Sequence, residues 1–224
     1  TFSDGITATA SFSLERSTIS NNYAVGNGGG IVYGTYGGPN NIVDFGFKNG
    51  TMTIDSETSI TGNTAKTGRG GGLYYSIAPI IVGTPAKTYF SNINGTQYEK
   101  SLIINGATIS GNKALSGGAG IAIFRTTRIY KSDLQVNYGT IENNISAGDG
   151  GAIYVYSSNE STYQGTCPYD LTDMSVSFGS TTGELKLVNN QAANGGGAYI
   201  TGDFLSTKIV NGTIGEQGKS NIAT

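Results

Sequence analysis

Two groups of side chains in this chain are of the types that do acid–base chemistry. Asp170 and Asp173 are close in sequence, and Arg125 and Arg128 lie near Asp133. Enzymes that cut polysaccharides gather carboxylates with a basic residue on one face, because proton abstraction and leaving-group protonation need positioned acid and base groups. Neither group recurs with the alternation a strand would need to align it, and the chain has no His to serve as a base near neutral pH. These charges read as solvated surface groups, so no catalytic residue is assigned.

The glycine runs invite a phosphate-binding reading. It fails because Gly28-Gly29-Gly30 and its relatives lack the Gly-Lys-Ser/Thr ending and precede strand-like segments, where a P-loop would open a helix. Calcium would need several carboxylates in register with the glycines, and only Asp149 is so placed, as a turn residue. One cysteine, Cys167, and no histidine exclude an intrachain disulfide framework and a zinc site, leaving Cys167 as an incidental thiol or an interchain bridge. No metal or cofactor is expected.

Five Asn-x-Ser/Thr sequons occur, at Asn49, Asn94, Asn144, Asn159 and Asn211; in a glycosylating host the loop residues Asn94 and Asn159 are the expected acceptors. The loops also carry Tyr36, Tyr89, Tyr98, Tyr163 and Tyr169. Tyrosine offers large contact area with a polar tip, so these five are candidate contacts for a protein or a glycan.

What must position all of this is a repeat. An aliphatic residue, two variable positions, Asn, and then a glycine-rich run closed by an aliphatic residue or Tyr recur five times. The five Asn are Asn22, Asn63, Asn112, Asn144 and Asn190. Ile141 to Ile153 is one full copy, and Gly196-Gly197-Ala198-Tyr199 closes the fifth. A sixth copy is expected to start at Ile214-Gly-Glu-Gln217, with Gln in the Asn place. The variable lengths fall after the glycine motif, in insertions over residues 34–48, 76–100 and 157–183. The corners are therefore fixed and the loops cluster along one side.

Composition fits many short strands. There are 36 Gly against 4 Pro, and charged residues make up 12%, where about 25% is usual for a globular domain. Thr, Ile, Val and 14 Tyr favour pleated positions, and Asn and Gly favour turns. Short strands between tight corners at intervals of 30 or more residues predict an all-β solenoid, each turn stacked on the last. Gly supplies positive φ at the corners, and stacked Asn side chains are expected to bond from one turn to the next as an inward ladder.

These paired motifs resemble the polymorphic outer membrane protein repeats first described in chlamydial surface proteins, where G-G-A-[ILV] alternates with F-x-x-N. Gly150-Gly151-Ala152-Ile153 matches the first motif fully, whereas Ile or Leu stands where the second has Phe. The resemblance implies a right-handed parallel β-helix displayed at a cell surface as an adhesin-like passenger.

The net charge of −2 supplies no basic field for nucleic acid, and no 18-residue apolar run spans a membrane as a helix. Residues 1–224 therefore read as a single β-helix fragment of a longer array, cut at both ends. The expected function is that of a non-enzymatic extracellular or cell-surface scaffold whose loops bind a protein or glycan. The alternatives are a subunit of an extracellular filament that self-associates end to end, and a polysaccharide-active enzyme.

Overall fold

The computed structural model describes residues 9–34, 49–77, 98–126, 130–158, 173–203 and 205–224. Within them the chain winds through five coils and part of a sixth. The first coil contains β1 (Thr9–Leu14), β2 (Thr18–Ser20), β3 (Tyr23–Ala24) and β4 (Ile31–Gly34). The second contains β5 (Asn49–Ile54), β6 (Ser59–Thr61), β7 (Thr64–Ala65) and β8 (Leu73–Ile77). In the third, β9 (Tyr98–Ser110) merges the first two strands, followed by β10 (Lys113–Ala114) and β11 (Ile121–Arg125). The fourth repeats this with β12 (Tyr130–Glu142), β13 (Ile145–Ser146) and β14 (Ile153–Ser157). The fifth has β15 (Met174–Phe178), β16 (Leu185–Val188), β17 (Gln191–Ala192) and β18 (Ala198–Gly202). The sixth has β19 (Leu205–Ile209), β20 (Gly212–Ile214) and β21 (Ile222–Ala223).

Equivalent strands of successive coils pair in parallel and build three sheets: a long one from β1 to β19 with β2, β6, β16 and β20; a short-stranded one from β3 to β21; and a third from β4 to β18. This is a parallel β-helix. Among the described residues no helix occurs.

The core follows from strand alternation, which sends every second side chain inward. On the long sheet Leu102, Ile104, Leu134, Val136, Val176 and Phe178 are buried; on the third sheet Leu73, Tyr75, Ile121, Ile123, Ile153 and Val155 are buried. The narrow second sheet leaves room only for small residues, and its inward file is Ala65, Ala114, Ser146 and Ala192. Ile60, Ile109, Ile141 and Leu187, three positions before each ladder Asn, are also fully buried.

Between that aliphatic residue and its Asn, the chain turns through one left-handed residue. Asn21, Gly62, Gly111, Asn143 and Asn189 all have φ between 56° and 66°. Only Gly and Asn adopt this conformation at low cost, which explains why those two types alternate at a position that looked variable in sequence. Gly111 has open space around it, its nearest neighbour for an added Cβ being the Gly62 nitrogen at 3.9 Å. Gly111→Asn is therefore expected to change stability by less than about 0.5 kcal/mol, whereas Gly111→Val costs about 1–2 kcal/mol. Urea denaturation of the two variants checks this.

Two alignments made from sequence are corrected by the register. In the fifth coil Ile153 pairs with Ala198, not Tyr199. The run aligned with Gly150-Gly151-Ala152 is therefore Gly195-Gly196-Gly197, and Gly195 shares the left-handed φ of Gly150. One residue has been lost between Asn190 and the run. In the sixth coil the ladder position is held by Asn221, not Gln217. Ile214 pairs with Leu187 as expected, but Glu216 and Lys219 close an extra turn through an antiparallel bridge before the chain reaches Asn221.

Candidate functional site

The first corner of each coil carries the Asn file. The Asn22 backbone N–H and Nδ2 both donate to Asn63 Oδ1, at 2.9 and 3.0 Å. Asn63 does the same to Asn112, Asn112 to Asn144, Asn144 to Asn190 and Asn190 to Asn221. The second Nδ2 hydrogen reaches back to the previous coil, where Asn63 donates to Ile19 O, Asn112 to Ile60 O and Asn144 to Ile109 O. Asn63, Asn112, Asn144 and Asn190 are fully buried. A buried amide with all its donors and acceptors matched carries little desolvation penalty. The intervals along the file are 41, 49, 32, 46 and 31 residues. Coil length varies widely while the corner geometry does not.

The second corner is the glycine run. Its N–H groups donate in succession to the carbonyls of the following coil, as Gly150 to Asn194, Gly151 to Gly195, Ala152 to Gly196 and Ile153 to Gly197. Asp149 sits at this corner, bridged through its backbone to Gly117 and Asn194. Its Oδ1 accepts a 2.8 Å bond from Asn194 Nδ2, so it links two coils.

The third sheet also carries an outward aromatic row that sequence reading did not single out. Tyr154 stacks on Tyr199, and Phe124 on Tyr156 with ring centres 4.8 Å apart. The Arg69 guanidinium lies 4.8 Å from the Phe124 ring centre and 5.6 Å from that of Tyr154. The visible signal was the alternate aromatics of Ile153-Tyr-Val-Tyr156. Within each pair the facing ring faces cover each other, and Arg69 lies over Phe124 and Tyr154.

Among the acid–base candidates, Arg125 was read as a solvated charge, and the structure corrects this. It occupies an inward position of β11, flanked by Ile77 and Ser157 on the neighbouring strands, and is fully buried. Its Nη1 donates to Ser157 Oγ at 3.4 Å. Strand alternation, which puts Ile121 and Ile123 inward, leaves no other direction for residue 125. Nearby, burial above all pushes the Tyr75 phenol well above its ordinary pKa; Tyr33 and the Asp133 charge add to this, and Arg125 opposes it. The phenol stays neutral and belongs to the core. Asp133 lies on β12 between the buried Ser132 and Leu134, so it faces outward. Asp173 is exposed just before β15. Asp170 and Arg128 lie outside the described residues, and no cluster of three metal-ligating side chains occurs among the described ones.

Of the candidate loop contacts, Tyr36, Tyr89, Tyr163 and Tyr169 lie outside the described residues, as do Asn94, Asn159 and Cys167. Tyr98 was placed in a loop from sequence; it begins β9 instead, with its backbone paired to Tyr130 of β12. The insertions are correspondingly shorter than read, since Gly34, Ser76, Ile77 and Ser157 end strands and residues 174–178 form β15. Of the other sequons, Asn144 is buried in the ladder, whereas Asn211 is exposed and donates to the carbonyls of Ser180 and Gly183.

No curated protein and no solved structure matches the chain. Residues 139–156, which span the end of β12, the Asn144 corner, the Gly150–Gly151 corner and most of β14, match the family model of the Chlamydia polymorphic membrane protein repeat.

Proposed function

We propose that this chain is a non-enzymatic, surface-displayed β-helix that holds loops out for a protein or glycan partner. The observation that carries the reading is where chain length varies. Residues 35–48, 78–97, 126–129 and 158–173 all join the end of a third-sheet strand to the start of a long-sheet strand, so these connections begin and end on the same side of the rod. The Asn and glycine corners of the five full coils keep nearly constant lengths. A rigid rod with variable segments on one side suits recognition, since such segments tolerate change without cost to the scaffold. The repeat match supports a cell-surface, outer-membrane setting and an adhesin-type role.

The test is loop replacement. Short Gly-Ser linkers in place of residues 78–97 or 158–172 are expected to leave the β-type circular dichroism and the melting curve unchanged, and to abolish binding in a glycan array or a host-cell binding assay. Unchanged binding in both variants overturns the reading. Polysaccharide turnover that disappears in Asp170→Asn replaces it with an enzymatic one.

A further inference from the structure

We infer that the outer face of the second sheet is a lipid-contact face, on which the rod lies flat against an anionic bilayer. This goes beyond loop display and concerns a sheet to which none of the long connections is attached.

The second sheet is the side without insertions. It is bounded by the Asn corner and the glycine corner, and in the first five coils neither corner admits an extra turn. Six short strands in register, β3-β7-β10-β13-β17-β21, span about 24 Å at the usual strand spacing, and among the described residues of the first five coils no insertion interrupts them. Such a surface fits a plane.

Like the third sheet, this surface has outward rows without carboxylates; unlike the third sheet, it carries lysines there. The first outward row, in pairing order, is Tyr23, Thr64, Lys113, Ile145, Gln191 and Ile222. The row two residues further on begins with Val25, Lys66 and Leu115 and continues with Ala147 and Ala193. Neither row contains a carboxylate, although the chain has 15 Asp and Glu against 13 Lys and Arg. Lys66 and Lys113 are exposed. Leu115 is 52% exposed and Ile145 44%, and away from the first and last coils these are the large apolar side chains that stand out among the described residues. Tyr23 and Val25 extend the strip at 61% and 64%.

Area and charge select the partner. Two side-chain rows of this length cover roughly 200–300 Å², well below the ~800 Å² per partner of a stable protein complex. A bilayer needs no matching shape. Aliphatic tips can enter the interface, the Tyr ring and the long Lys stems suit the headgroup level, and the two ammonium groups are drawn to anionic lipid.

The experiment is co-sedimentation of the full chain with vesicles of phosphatidylglycerol and phosphatidylcholine, and with vesicles of phosphatidylcholine alone. Binding is expected to the first and not to the second, with release at about 0.5 M salt, where screening is strong. Lys66→Gln/Lys113→Gln is expected to weaken partitioning about thirtyfold. Leu115→Ser/Ile145→Ser also weakens it. The same charge change on the long sheet, Lys186→Gln/Lys208→Gln, leaves it unaltered. All three pairs are solvent-exposed or nearly so, and circular dichroism verifies that each variant is folded. Absence of sedimentation with anionic vesicles, equal sedimentation with neutral ones, or indifference to the first two double variants overturns the inference. Vesicle binding uses no loop ligand, so failure here leaves the loop reading standing, and failure of loop binding leaves this one.

Discussion

Asn144→Ala is expected to destabilise the fold by about 3–5 kcal/mol, whereas Asn22→Ala costs about 1 kcal/mol or less. The difference comes from what each amide leaves behind. Asn144 Oδ1 accepts from both the Asn112 backbone N–H and Asn112 Nδ2 at 3.0 Å, and its own Nδ2 supplies Ile109 O and Asn190 Oδ1. Alanine removes all four bonds. It orphans the Asn112 N–H and one Asn112 Nδ2 hydrogen in a region with no exposed surface, and it leaves the Ile109 carbonyl with only its strand pairing to β12. Each buried group left without a partner costs about 1–3 kcal/mol, and such terms do not add fully within one network. Asn22 is exposed, and the bonds it makes on the ladder are the two it donates to Asn63. Equilibrium urea unfolding of both variants reads the contrast. Equal losses would show that the file is held by backbone pairing and that its amides contribute little.

Gly151→Ala is the second large effect, expected at about 3 kcal/mol or more and showing as loss of soluble, cooperatively unfolding protein. A Cβ at Gly151 would meet the Gly196 carbonyl oxygen, and the Gln191 nitrogen and oxygen at 2.8 Å. All of these atoms are backbone of the next coil. No side chain can rotate away, so the coil itself must move, and with it the bonds from Gly151 to Gly195 and from Ala152 to Gly196. Overpacking a well-filled site costs about 1–3 kcal/mol when side chains can adjust, and more when they cannot. Because Gly151 does not have a positive φ, the penalty is close approach alone. Gly111→Asn is the matched control, since that glycine is present for its conformation and has room. If both changes prove neutral, the coils are not as tightly stacked as the glycine corner requires.

These two corners are also where sequence and structure agree most closely, and for a physical reason. A left-handed turn, an amide that must be buried with its bonds made, and a backbone that approaches within contact of its neighbour each tolerate very few residue types. Gly and Asn therefore stand at nearly constant spacing, and the all-β stacked architecture could be inferred from Ile141 to Ile153 and its copies. The loop side could be inferred too, because the segments outside the corners vary far more in length than the corners, which in the first five coils gain or lose a single residue.

What the sequence could not decide was register. Strand side chains alternate with a period of two, so a slip of one residue exchanges the inside and outside of a strand. Sequence alone put Tyr199 at the closing core position; pairing of Ile153 with Ala198 turns Tyr199 outward onto Tyr154. Arg125 carried the signature of a surface charge, yet it completes the inward file of Ile121 and Ile123 and is buried beside Ser157. Gln217 stood at the right distance from Ile214, and the ladder is completed by Asn221 because a local turn loops the intervening residues out. The corners are legible in sequence because they are local and stereochemically strict. Facing and register depend on the coil stacked alongside, which only the tertiary structure supplies.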